Sequence, residues 1–350
     1  MKTMRKTLLA GVAGATLLAA SSCLAAPVPI NVSYQPTNWW ALPYYLASKK
    51  GWWGDVGLKV SYSTFAAGMP QIASSAAGSW DVGATGSVPA VLGAARYHIL
   101  TIGISNDESA TNVLAATPKG AAAYRKNPAA LKGHRILVTA NSTGEYAAAA
   151  CLHKAGLTEN DVTMVNLGQS GIVSALSNGT AQYGALWAPN SYTLESKAHG
   201  QIICSGKDGG AMIPGALIVR QEFADKHPEL VARYLAVYLH AVQWEKQHPA
   251  QTLKELEAAD KEAGVPIEPR FAKVEYQRPI YNLSEQLQIM QGHGGKPAEA
   301  DGWFDKIADF MHGKGSLQQV PKASSYVTAK YLQMVQDDPK LRAFANDGSH

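Results

Sequence analysis

The chain has 350 residues, 46% hydrophobic and 17% charged, with a formal net charge of +4. Without its first 25 residues, which hold Lys2, Arg5 and Lys6, the charge falls to +1, which gives no electrostatic reason to expect nucleic acid or an anionic membrane as partner. The remaining 325 residues exceed one comfortable core and suit two domains.

The N-terminus comes first in chain order. Lys2, Arg5 and Lys6 precede an apolar run, Leu8 to Ala20, and Cys23-Leu24-Ala25 offers a small-x-small cleavage site before Ala26. The run is shorter than the ~20 residues that span a bilayer, so residues 1–25 read as a cleaved export signal and the mature chain as a periplasmic protein. Ala20-Ser21-Ser22-Cys23 is also a poor lipoprotein box, with Ala20 where a bulky aliphatic residue usually stands. Release is therefore expected over anchoring at Cys23. Cys151 and Cys204 remain in an oxidising compartment, where a disulfide could form. They fall on separate predicted elements, which leads us to expect two unpaired buried thiols.

Strand and helix then alternate at short intervals. Ile30 to Gln35, Leu58 to Phe65, Asp81 to Thr85 and His98 to Ser105 read as strands. Ala41 to Lys50, Pro70 to Ala77 and Val88 to Ala95 read as the helices between them, the first two closed by Gly51 and Gly78. Such alternation predicts parallel βαβ units with helices on both faces. The polar stretch Asn106 to Thr111 is a candidate crossing. A second set follows, with strands at Asn112 to Ala116, Arg135 to Thr139, Val162 to Leu167, Tyr183 to Trp187 and Gln201 to Cys204, and an Ala-rich helix at Thr143 to Lys154. Gly206 to Gly210 is a glycine-rich turn before a last strand, Met212 to Arg220. Beyond it Glu222 to Gln247, Thr252 to Ala263, Pro297 to Met311 and Ser325 to Val335 keep helical spacing. The expected organisation is lobe I over 26–110, lobe II over 111–210, and a return to lobe I with C-terminal helices over 211–350.

Ligands of open α/β sheets lie beyond the carboxyl ends of the strands, which directs attention to the strand-to-helix loops. Gln35-Pro36-Thr37-Asn38-Trp39-Trp40 offers capping side chains, a helix N-terminus that attracts an anion, and two indoles of which at least one is expected to wall the ligand. Gly68 and Gln71 follow the second strand, and Gly86 and Ser87 the third; the glycines permit close backbone approach. Asn141-Ser142-Thr143-Gly144 is the best anion cradle in the chain. Glu145 behind it suits the helix dipole, and Asp107 and Glu108 suit hinge hydrogen bonds. Trp187 and Asn190 complete the second lobe's contribution. The ten His residues lack metal-binding spacing, and no CxxC, HExxH, GxSxG or GxxxxGK motif occurs, so no metal, cofactor or catalytic residue is expected.

Phe65-x-x-Gly68 and Gly78-x-x-Asp81-x-Gly83-x-x-Gly86-x-x-Pro89 resemble the first-lobe signature of periplasmic binding proteins of the sulfonate, nitrate and taurine type. So do Lys50-Gly51-Trp52-Trp53, Leu131-Lys132-Gly133-x-Arg135-Ile136, Ser142-Thr143-Gly144, Lys154-Ala155-Gly156-Leu157 and Trp187-x-Pro189. The resemblance runs from about Ile30 to Asn190. It implies a type II periplasmic-binding-protein fold, two α/β lobes joined by a hinge, serving as a monomer the permease and ATPase subunits of an ABC importer. It also implies capture of a small organic anion, a sulfonate, sulfate ester or related oxyanion, by clamp closure. Many relatives have an acidic residue where this chain has Ala188, which points to a ligand without a cationic end. Trp39-Trp40 and Tyr44-Tyr45 hint at a bulky or aromatic one. The alternative is an enzyme on the same fold, such as a sulfinate desulfinase with a nucleophilic Cys.

Overall fold

The computed structural model describes residues 26–36 and 39–349; residues 1–25, expected from the sequence to be an export signal, and Thr37 and Asn38 lie outside the described residues. Two five-stranded sheets are formed from β1 (Val28–Tyr34), β2 (Leu58–Thr64), β3 (Val82–Gly86), β4 (Ile99–Asp107), β5 (Asn112–Ala116), β6 (Arg135–Val138), β7 (Thr163–Asn166), β8 (Tyr183–Trp187), β9 (Gln201–Ser205) and β10 (Pro214–Arg220). The first sheet has the order β2-β1-β3-β10-β4 and the second β7-β6-β8-β5-β9. Position by position the two orders are equivalent, although no sequence repeat announces it.

Neither sheet is purely parallel, contrary to the expectation from strand–helix alternation. β10 runs antiparallel to β3 and β4, and β5 antiparallel to β8 and β9. The cause is the crossing. The chain leaves the first lobe at the carboxyl end of β4, enters the second at its facing edge, and has only one direction left to run. β10 repeats this on the return. The two crossings bind each other: Glu108 N–H donates to Ile213 O at 2.8 Å and Lys207 N–H to Ser109 O at 2.8 Å.

The C-terminal helices pack mainly on the first lobe. Helix Pro228–Gln247 is almost wholly inside its core. Tyr234 on this helix donates to Gly83 O at 3.0 Å and shares a 2.6 Å hydroxyl contact with Tyr44, so Tyr44 is core rather than cleft. The helix expected over 222–247 is broken into Gln221–Lys226 and Pro228–Gln247. Pro228 disfavours helical backbone at His227, while its own missing N–H costs nothing at a first helical position. The helix expected from Ser325 begins instead at Lys330, after a 3₁₀ turn over Ala323–Ser325. Helices Pro118–Lys126, Pro269–Tyr276, Leu283–Met290 and Pro339–Asp347 had no clear sequence signal.

Cys151 and Cys204 form a disulfide, which corrects the expectation of two free thiols. Helix Thr143–Lys154 lies across the second sheet, against β5 and its edge neighbour β9, and this brings the two Cα atoms within 6.0 Å. Both cysteines are buried. The bridge closes a loop of sequence separation 53 in the unfolded chain, so its loss should cost about 2–4 kcal/mol. Urea melts with and without reductant, or of Cys151→Ala/Cys204→Ala, should show the midpoint fall by that equivalent. Unchanged midpoints would contradict a structural role for the bridge.

Candidate functional site in the cleft between the lobes

The carboxyl ends of β1, β2 and β3 face those of β6 and β8 across one cleft. Its walls are Gln35, Trp40, Ala67, Gly68, Gly86 and Pro89 from the first lobe, and Ser142, Thr143, Trp187 and Ala188 from the second. Glu108, Thr111 and Asn112 form the crossing side, and Arg278 arrives from the tail. The free space is about 30 Å³, room for about two waters. The lobes therefore stand close together across it.

Two helix N-termini meet here. Helix Ser87–Tyr97 starts at Gly86 and helix Thr143–Lys154 at Ser142. A Cβ placed on Gly86 would stand 2.8 Å from Thr143 Cγ2, so only glycine lets the two ends approach this closely. Ser142 spends its own groups on capping: Oγ accepts from Glu145 N–H at 3.2 Å, and its carbonyl accepts from Tyr146 N–H. The first-turn N–H groups of Thr143 and Gly144 have no acceptor within the helix, and the helix dipole adds partial positive charge at the same end. Gly86 supplies no side-chain cap to its own helix. Uncapped donors on both sides of one gap make an anion site from main chain alone.

Seven of the sequence-selected residues are brought together: Gln35, Trp40, Gly68, Gly86, Ser142, Thr143 and Trp187. Six are placed elsewhere. Trp39 and Trp40 are neighbours in a tight turn, so Trp39 faces the core while Trp40 reaches the cleft. Gln71 is wholly buried and binds framework atoms, donating to Ser33 Oγ (2.8 Å) and Ala84 O (3.1 Å) and accepting from Gln35 Nε2 (2.6 Å). Gln169 does the same in the second lobe, donating to Ala185 O and accepting from Trp187 N–H. Ser87 is wholly buried. Asn141 adopts φ +59° and turns toward the tail, accepting from Ser316 Oγ at 2.9 Å. Gly144 packs against Trp187, and Asn190 lines a separate groove with Ser170 and Phe271. Thr37 and Asn38 lie outside the described residues.

Glu145 accepts from Asn141 N–H at 2.7 Å and pairs with Lys314, so it serves its helix end and joins the tail to the second lobe. Asp107 Oδ1 accepts from Ser109 N–H at 2.8 Å within the crossing. Glu108 plays a larger part than a hinge bond. Its Oε1 lies 3.2 Å from Arg278 Nη2, and Arg278 Nη1 lies 2.5 Å from Glu275 Oε2. The Asn106 amide oxygen, turned toward the guanidinium, accepts from Nε (3.2 Å) and Nη2 (2.6 Å). Burial pushes the Glu108 carboxyl up to about 8, against the pull of Arg278. Arg278 was missed from sequence because it lies in an unassigned stretch; its one mark is Gln277-Arg278-Pro279, where the proline predicts extended backbone.

Residues 38–252 match the family described as NMT1/THI5 like. A putative aliphatic sulfonates-binding protein of Bacillus subtilis is 31% identical over 212 residues, 59% of this chain and 63% of that protein. The taurine-binding periplasmic protein of Escherichia coli is 26% identical over 330 residues, 91% of this chain and 98% of that protein. Among solved structures, the periplasmic aliphatic sulphonate-binding protein of Escherichia coli superposes with a TM-score of 0.70 at 18% identity, covering 88% of this chain and all of that one. The shared two-lobed fold and the family match over most of both lobes place the chain: it belongs to the NMT1/THI5-like family, in the company of periplasmic binding proteins of the sulfonate, nitrate and taurine type.

Proposed function

We propose that the chain is the solute-binding component of an ABC importer, a clamp that closes on a small organic anion and presents it to permease and ATPase subunits. The observation that carries this reading is the meeting of two helix N-termini across one gap, one of them without a side-chain cap and the other with the first-turn N–H groups of Thr143 and Gly144 left over by its Ser142 cap. Capture needs no chemistry. One lobe holds the anion, the other adds donors, and closure about the paired crossings excludes water. Trp40 and Trp187, one from each lobe, offer aromatic walls for the ligand's carbon skeleton. A sulfonate or sulfate ester without an amino group suits a wall that carries Ala188. The working place is the periplasm, reached by loss of residues 1–25, and the working unit is a monomer. Among the described residues no helix is long and apolar enough to cross a membrane.

A thiol-dependent enzyme is the weaker reading. Both cysteines among the described residues are consumed in the Cys151–Cys204 bridge, and neither lines the cleft. A nucleophilic thiolate is what such chemistry requires.

Titration with alkane- and arenesulfonates, sulfate esters and carboxylates should give a saturable change in tryptophan fluorescence for at least one class. Silence across the whole panel would remove the anion-capture reading. For a ligand that binds, Gly86→Ala should prop the helix ends apart and weaken binding by about tenfold, ~1.4 kcal/mol, with little change in melting temperature. Equal affinity in Gly86→Ala and the parent would show that this contact does not limit closure.

A further inference from the structure

The cleft contains a feature at odds with a simple anion trap: a buried carboxyl in its own wall. Glu108, Glu275 and Arg278 are 3%, 5% and 6% exposed, so two acids share one guanidinium out of water. With both carboxyls ionised the cluster carries one excess negative charge. A ligand anion beside it would be repelled, and in a medium less polar than water that repulsion is several times stronger.

The two acids are held unequally. Glu275 accepts both from Arg278 and from the Tyr192 hydroxyl, each at 2.5 Å, and does not line the cleft. Glu108 does line it, and its contacts are longer: 3.2 Å to Arg278 Nη2 and 3.4 Å to Asn112 Nδ2. The remaining charged neighbour of Glu108 is Asp107, which together with Glu275 opposes ionisation. The cleft residues Thr111, Asn112, Trp187 and Ala188 bring no charge. Glu108 is thus the acid best placed to take up a proton.

We propose that anion capture is coupled to protonation of Glu108, the ligand binding to the form in which this side chain is a neutral acid. The inference rests on the anion-capture reading and supplies its charge chemistry. The proton comes from solvent and adds to a Glu108 carboxylate oxygen; no bond to the ligand is made or broken. Arg278 and Glu275 then cancel, and the two helix ends provide the positive potential unopposed. A neutral Glu108 also gains an O–H that can donate to a ligand oxygen, whereas the carboxylate can only accept. Ionised Glu108 would instead exclude the anion.

The sign follows from burial, which holds this carboxyl neutral up to about pH 8. Capture is strong below that value. Above it, one proton must be recovered for each ligand bound, so affinity falls by about tenfold per pH unit. The test uses the full chain with butanesulfonate, benzenesulfonate and sulfate, whose charges stay constant from about pH 6 to about pH 10. Dissociation constants are read by tryptophan fluorescence across that range for the parent and for Glu108→Gln, whose amide imitates the neutral acid; thermal melts confirm that the variant is folded.

Support would be the stated loss of affinity in the parent together with a flat profile in Glu108→Gln. A flat parental profile overturns the coupling and leaves anion capture standing. Persistent pH dependence in Glu108→Gln also overturns it, by placing the proton elsewhere. Affinity that rises with pH, or that collapses in Glu108→Gln at about pH 6, would also overturn it, because the amide would then fail to stand in for the binding-competent form. No binding of any of the three anions at about pH 6, with none from the wider panel, removes the parent reading and this inference with it.

Discussion

One buried guanidinium holds the architecture of the cleft. Arg278 comes from the tail, 170 residues after Glu108 in the crossing, and its contacts with Glu108, Glu275 and Asn106 join the end of β4, the crossing and the helix Pro269–Tyr276. Removing a charge from water is expensive, and it is tolerated only where partners surround it. The tail is therefore committed to one place, over the hinge. Asp107 N–H donating to Pro279 O at 2.9 Å repeats the commitment in backbone.

Around the hinge the molecule is built twice. Each sheet places four mutually parallel strands and one antiparallel crossing strand in the same order. Each also uses a glutamine near a helix start, Gln71 or Gln169, to bind the strands beneath it. The repetition is geometric: a chain that enters each lobe at the shared edge must run away from it before it can wind back. The consequence for function is that helix N-termini from both lobes end at the same gap. Their partial charges converge there without any lysine in the wall, and the one full cation present is already paired.

Contacts between the lobes extend beyond the cleft. Lys314 pairs with Glu145, Ser316 bonds to Asn141, and Tyr192 stacks on Phe271 at 4.2 Å between ring centroids. The main cores of the two lobes are separate clusters, and a small buried cluster of Ala188, Tyr192 and Phe271 joins the second lobe to the tail.

Local chemistry was enough to read the strands, the glycine-ended helices and the loops that reach the gap. Asn112–Ala116, Thr143–Lys154 and Tyr183–Trp187 were legible to the residue, because their composition and flanking turns agree with their periodicity. What the sequence could not decide was the direction in which neighbouring side chains point. Trp39 and Trp40, or Asn141 and Ser142, differ by one position yet serve core and cleft, or tail and cleft, because a turn rotates successive side chains apart. Nor could it join Cys151 to Cys204 or bring Arg278 to Glu108, since pairing across 53 or 170 residues is a property of how elements stack. The sequence by itself determined the elements and the anion-friendly turns, which depend on backbone preferences a few residues long. The tertiary structure alone decided which turns share a gap and which charges meet there, because burial and distance exist only once the lobes have packed.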